Sequence, residues 1–101
     1  MHNVHILSSV DCEWDPAKAR ANFGKHGVHF ADAVSALEDE RALTMRDPFA
    51  EDEERSITLG GDALGRILIV VYTWRGGYVR LISARRATLR EKKQYEVGNE
   101  T

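Results

Sequence analysis

Apolar residues recur at helical spacing early in this chain and at strand spacing through its middle. In KARANFGKH, residues 18–26, Ala19 and Phe23 stand four apart on one helix face. Asp15 is a good N-cap, Pro16 suits the first helical position, and Gly27 suits the left-handed position after the last turn. Lys25 and His26 fall in that last turn, where cations complement the helix dipole. Gly24 weakens the helix by ~1 kcal/mol relative to alanine. Phe30, Ala33, Val34 and Leu37 predict a second, short helix.

Period two then takes over. Leu43 and Met45 alternate with Thr44 and Arg46, and Ile57 and Leu59 alternate with Ser56 and Thr58. Ile67 to Trp74 is continuous and β-branched, which predicts the most buried strand. Gly76 and Gly77 form a tight hairpin turn into YVRLISA, with the strand ending at Ala84. The Gly60–Gly65 loop lies between two strands with no helix after it, so it reads as a hairpin loop rather than a phosphate cradle. Thr88 and Glu91 make a capping box that opens a last helix. Its apolar stripe is weak, because Leu89, Tyr95 and Val97 do not share a face. The predicted class is α+β: two N-terminal helices, a four-stranded mainly antiparallel sheet and a C-terminal helix. Residues 1–101 read as a single domain with its core at about 13–97, and residues 1–12 as a short leader or alternative start.

Composition adds limits. The chain has 101 residues, 43% of them hydrophobic and 30% charged, which fits a globular domain. The single Cys12 excludes an internal disulfide and multi-cysteine zinc motifs, and suits a reducing, cytoplasmic setting. No apolar run approaches the ~20 residues needed to cross a bilayer, so no membrane role is expected. The net charge of −2 conceals a polarity. Residues 38–54 hold eight acids against two arginines, whereas residues 80–93 hold six basic residues against one acid. The basic strip is either a solvated face or an anion-binding surface of the kind that binds nucleic acid.

Lys25, His26, Arg85, Arg86, Glu91 and Tyr95 together can do chemistry without a metal or other cofactor. RNA cleavage by the 2′-hydroxyl needs a proton acceptor, a proton donor to the leaving oxygen, and cations on the phosphate. Arginine suits the last role, and His, Glu or a perturbed Lys the first two. Each also has a plain structural role. His26 can be a helix-end cation, Glu91 can serve only the capping box, and Tyr95 can anchor the helix to the sheet. His26 and His29 are three apart, but Gly27 separates them, so no metal site is expected.

Four sets of residues together resemble the BrnT family of small bacterial toxins, in order from about Glu13 to Glu96. They are Trp14, Asp15 and Lys18; Asn22, Lys25, His26, Gly27 and Val28; Glu53, Glu54 and Arg55; and Ile82 to Arg85 with Ala87, Glu91 and Tyr95. The resemblance implies a fold like RelE-type toxins and a metal-independent ribonuclease. It also implies a cognate BrnA-like antitoxin with a ribbon-helix-helix element, a heterotetramer, and operator DNA bound only through that antitoxin. Gly24, His29, Lys92 and Lys93 depart modestly from the family pattern. On this basis Lys25, His26, Arg85, Glu91 and Tyr95 are the catalytic candidates. Arg80, Arg86, Arg90, Lys92 and Lys93 are the RNA-binding ones. The alternative is a non-catalytic interaction module that binds an acidic partner or nucleic acid through the basic strip. Direct DNA binding by this chain lacks a recognition-helix motif.

Overall fold

The computed structural model describes residues 3–7, 10–51 and 54–99. Its elements run β1 (Asn3–Leu7), β2 (Val10–Trp14), α1 (Pro16–His26), α2 (Phe30–Leu37), β3 (Leu43–Arg46), β4 (Arg55–Gly61), β5 (Ile67–Arg75), β6 (Tyr78–Arg86) and α3 (Leu89–Gly98). One mixed sheet has the order β1-β2-β6-β5-β4-β3, and β2 runs parallel to β6. The α+β class and three helices match the sequence reading. The expected four-stranded sheet is corrected to six strands among the described residues. The two extra strands come from the stretch read as a leader, whose residues 3–7 and 10–12 belong to β1 and β2. Cys12 and Trp14 are buried in the core, which a leader outside the domain would not supply.

The helix ends follow local chemistry. The Asp15 side chain accepts from the Ala17 N–H, and Gly27, at φ 68°, closes α1 by donating to the Phe23 carbonyl. His29 caps α2 without a side-chain hydrogen bond, and its ring stacks on Phe23 at 4.0 Å instead. Gly24 lies exposed within α1, and a Cβ there would meet nothing within 4 Å. Gly24→Ala should therefore stabilise the fold by ~0.5–1 kcal/mol and raise Tm by a few degrees in a calorimetric scan.

The core lies between α2 and one face of the sheet. Phe30, Ala33, Val34 and Ala36 pack against Cys12, Trp14, Leu68, Val70, Tyr72, Val79, Leu81 and Ala84. Close approach of α2 requires a glycine on β4, since a Cβ on Gly60 would sit 2.4 Å from the Ala36 carbonyl oxygen. β5 and β6 meet at the expected two-residue turn, where Gly76 and Gly77 have φ of 56° and 93°. Burial first, and then the charges of Glu38 and Asp11, pushes the Cys12 thiol up to about 12, so it behaves as a core residue.

α1 covers an edge. β2 pairs with β6 only as far as Arg80, leaving the later part of β6 without a strand on that side. There the buried Asn22 carboxamide donates to the Ala84 carbonyl at 2.8 Å and accepts from the Ala84 N–H at 3.1 Å. It also donates to the Val28 carbonyl at 3.0 Å. One side chain thus stands in for a strand and ties the α1 C-terminus to the sheet.

Candidate functional site

Because Cys12, Trp14, Leu68, Val70 and Tyr72 face α2, alternation turns Glu13, Ile69, Val71 and Thr73 to the opposite face. Arg85 is the cross-strand partner of Ile69 and shares that face. A register shift between Val71 and Tyr72 gives β6 one extra residue, Ile82, and sets this phase. The strand continues past the Ala84 end expected from sequence, through Arg86. Arg85 and Arg86 therefore project from opposite faces.

Arg85 is held by three hydrogen bonds. Its two terminal nitrogens donate to the two Glu91 carboxylate oxygens, each at 2.8 Å, and Nη1 also donates to the Arg86 carbonyl at 3.2 Å. Among the described residues this leaves the Nε–Nη2 edge, with two near-parallel N–H donors, without a protein partner. Glu91 simultaneously closes the capping box: its Oε1 accepts from the Thr88 N–H at 2.8 Å, and the Glu91 N–H donates to Thr88 Oγ1 at 3.2 Å. The Arg85 hydrogen bonds lower the Glu91 carboxyl to about 2, against the opposing effect of burial. The Arg85 guanidinium is stabilised in return. Glu91 is thus an ionised clamp rather than a proton donor near neutrality.

Beneath this pair is a cavity of about 430 Å³ floored by Leu43, Met45, Ile57, Leu59 and Ile69. α3 forms its wall with Glu91 and Gln94 but buries none of its own residues. The helix is held by polar ties instead. Tyr95 donates its hydroxyl to Asp39 Oδ2 at 2.5 Å, the same oxygen that accepts from the Gly61 N–H at 2.8 Å. Burial pushes Asp39 upward, but hydrogen bonds from Tyr95, Gly61 and Arg41 outweigh it and keep the carboxyl below its ordinary value. Burial and the Asp39 contact push Tyr95 up to about 12.

A second, smaller cavity of about 240 Å³ lies where α1 crosses β6. Lys18, Asn22, Lys25 and His26 line it on one side, Ile82 and Ser83 on the other. Arg90, Lys92 and Lys93 line a third, open depression on α3 with Leu89 and Glu96. The structure therefore brings Arg85 together with Glu91, and Lys25 together with His26, but in separate cavities. Tyr95 contacts Asp39, and Arg80 lies at the far end of the open face, 3.5 Å from Glu13. Among the described residues no three His, Cys, Asp or Glu side chains cluster as metal ligands would.

Comparison with known proteins bears on this arrangement. A family model described as "Ribonuclease toxin, BrnT, of type II toxin-antitoxin system" matches residues 14–91, which include α1, strands β3 to β6 and the Arg85–Glu91 pair. The chain belongs to the BrnT family. It is similar to the crystal structure of the Brucella abortus ribonuclease toxin BrnT, with 27% identity and a TM-score of 0.59 over 74% of this chain and 92% of that one. No curated protein matches the chain. As a BrnT-family member it is a ribonuclease toxin of the type II toxin–antitoxin class, and membership implies an antitoxin partner. No helix among the described residues is long and apolar enough to cross a membrane.

Within this BrnT-family fold, three features escape a reading of the sequence. Asn22 falls within the family motif, but the motif assigns it no role. Its signal is a poor helix former in mid-helix, a place where the side chain is kept for its own hydrogen bonds. Asp39 as the partner of Tyr95 leaves no local signal across 56 residues. Arg55, Thr73 and Arg80 become neighbours only through strand register. Glu53 of the family motif lies outside the described residues.

Proposed function

We propose that this toxin is a metal-independent endoribonuclease whose substrate lies on the open face of the sheet, with Arg85 as its main phosphate ligand. The observation that carries the reading is the Arg85–Glu91 pair. Glu91 and the Arg86 carbonyl fix three of the arginine's donors, and the remaining Nε–Nη2 edge has the geometry of a two-point phosphate contact. A preorganised cation of this kind stabilises the pentavalent phosphate without reorganising during the reaction. Glu91 acts as a positioning residue, and the apolar floor beside it suits an unstacked base. Lys25 and His26 move protons at the edge where α1 meets Ser83, provided RNA reaches from one cavity to the other. Tyr95 holds α3 in place through Asp39. Arg86, Arg90, Lys92 and Lys93 attract RNA at longer range, and their contribution falls with salt.

In this reading a BrnA-like ribbon-helix-helix antitoxin neutralises the toxin in a heterotetramer, and the complex represses its own operon in the cytoplasm. The fold relation to RelE-type toxins belongs to the same reading. Purified toxin incubated with single-stranded RNA in excess EDTA should cleave at its full rate. Loss of cleavage on chelation, restored by a divalent cation, would end the metal-independent mechanism.

A further inference from the structure

Four strands place one residue each in a single row across the open face. Glu13 on β2 is the register partner of Arg80 on β6, Arg80 of Thr73 on β5, and Thr73 of Arg55 on β4. Register partners point to the same side of a sheet, so the row reads Glu, Arg, Thr, Arg, with the threonine between two guanidinium groups. Thr73 is 2% exposed, and its hydroxyl is buried without a hydrogen-bond partner. Most buried hydroxyls are satisfied, so an idle one flanked by two cations calls for an oxyanion.

We infer that Arg55, Thr73 and Arg80 form a second phosphate subsite, which rests on the reading of the open face as the RNA surface. The hydroxyl donates to a phosphate oxygen, and the two guanidinium groups close over it from either side. Access requires a side chain to move, and Arg80 is poised to do so. Its contact with Glu13 is long, at 3.5 Å, and its side chain keeps 23% exposure. Glu13 marks the end of the subsite by repelling phosphate from beyond Arg80. Thr73 stands four positions along β5 from Ile69, the register partner of Arg85, which is about 13 Å along the strand. A single RNA strand lying along β5 can thus touch both subsites, with Val71 and Ile57 between them.

Two probes test this. Inorganic phosphate is titrated into the labelled protein while amide and arginine side-chain NMR signals are followed. A single-stranded oligonucleotide blocked at the 2′ position is then bound and followed by anisotropy. Thr73→Val keeps the β-branched shape and should melt no lower than wild type, while oligonucleotide affinity falls about tenfold and the saturable phosphate shifts at residues 55, 73 and 80 vanish. Thr73→Ser should restore both, and Arg80→Gln should reduce the salt slope by about one contact. Thr73→Val binding the oligonucleotide within twofold of wild type, or retaining the phosphate shifts, would overturn the subsite and leave RNA cleavage standing. Wild type that binds phosphate at Thr73 but neither binds nor cleaves RNA would instead sink the RNA reading and keep the anion site. Where the valine variant disturbs the sheet, an unchanged salt slope in Arg80→Gln overturns the subsite independently.

Discussion

RNA cleavage by Arg85→Ala should fall by about 10²–10³-fold while the circular dichroism spectrum stays that of wild type. The alanine removes the phosphate-binding edge and leaves the strand pairing of residue 85, which is made by the backbone, untouched. Arg85→Lys should not restore the rate, because an ammonium keeps the charge but loses the fork that meets both Glu91 and a phosphate. Growth arrest on expression offers a second readout, and wild-type toxicity from the alanine variant would remove Arg85 from the mechanism. The same variant changes the acid response. In wild type the Glu91 carboxyl is lowered to about 2, so its stabilisation is complete above its ordinary value near 4.5 and is lost as pH falls toward 2. Without Arg85 the carboxyl climbs part of the way back, held only by the capping-box contacts to Thr88. The variant should therefore lose ~1–2 kcal/mol less than wild type across that acid window, a figure already reduced because the Arg85 side chain is 39% exposed. Chemical denaturation at pH 6 and at pH 2.5 measures the difference.

Asn22→Ala should cost ~3–5 kcal/mol and lower Tm by at least ~12 °C. Truncation leaves the Ala84 N–H, the Ala84 carbonyl and the Val28 carbonyl without their bonds at a position that is only 7% exposed. No conservative change repairs it. Aspartate cannot donate to the two carbonyls, and leucine satisfies none of the three groups. Loss of activity in this variant would follow from unfolding, so amide exchange at Ala84 is the diagnostic measurement. Slow exchange at Ala84 in a stable Asn22→Ala protein would show that another group covers the edge.

Helices, turns and caps were legible locally. Asp15, Pro16 and Gly27 set the ends of α1, Gly76-Gly77 set the hairpin, and Thr88 with Glu91 set the start of α3. Each depends on backbone groups within a few residues, so sequence spacing suffices to reveal them. The strand count was not legible. β1 and β2 lie in a stretch that begins MHNVHILSSV and carries weak alternation, and β2 gains its place by lying parallel to a strand more than sixty residues away. The end of β6 was also set from outside, because the pairs Ile69–Arg85 and Leu68–Arg86 extend it beyond the apolar run.

The candidate site divides in the same way. By itself the sequence determined the three helices, the strands β3 to β6 in outline, the basic strip at residues 80–93, the capping box and the motifs that identify the BrnT family, all of which are local or ordered along the chain. Tertiary structure alone decided that Glu91 clamps Arg85, that Tyr95 bonds Asp39, that Lys25 and His26 occupy a separate cavity, and that Arg55, Thr73 and Arg80 form a row. Strand register and one extra residue at Ile82 choose the sheet face on which each side chain emerges. A shift of one residue reverses every such choice, and that phase is fixed by pairing between distant strands.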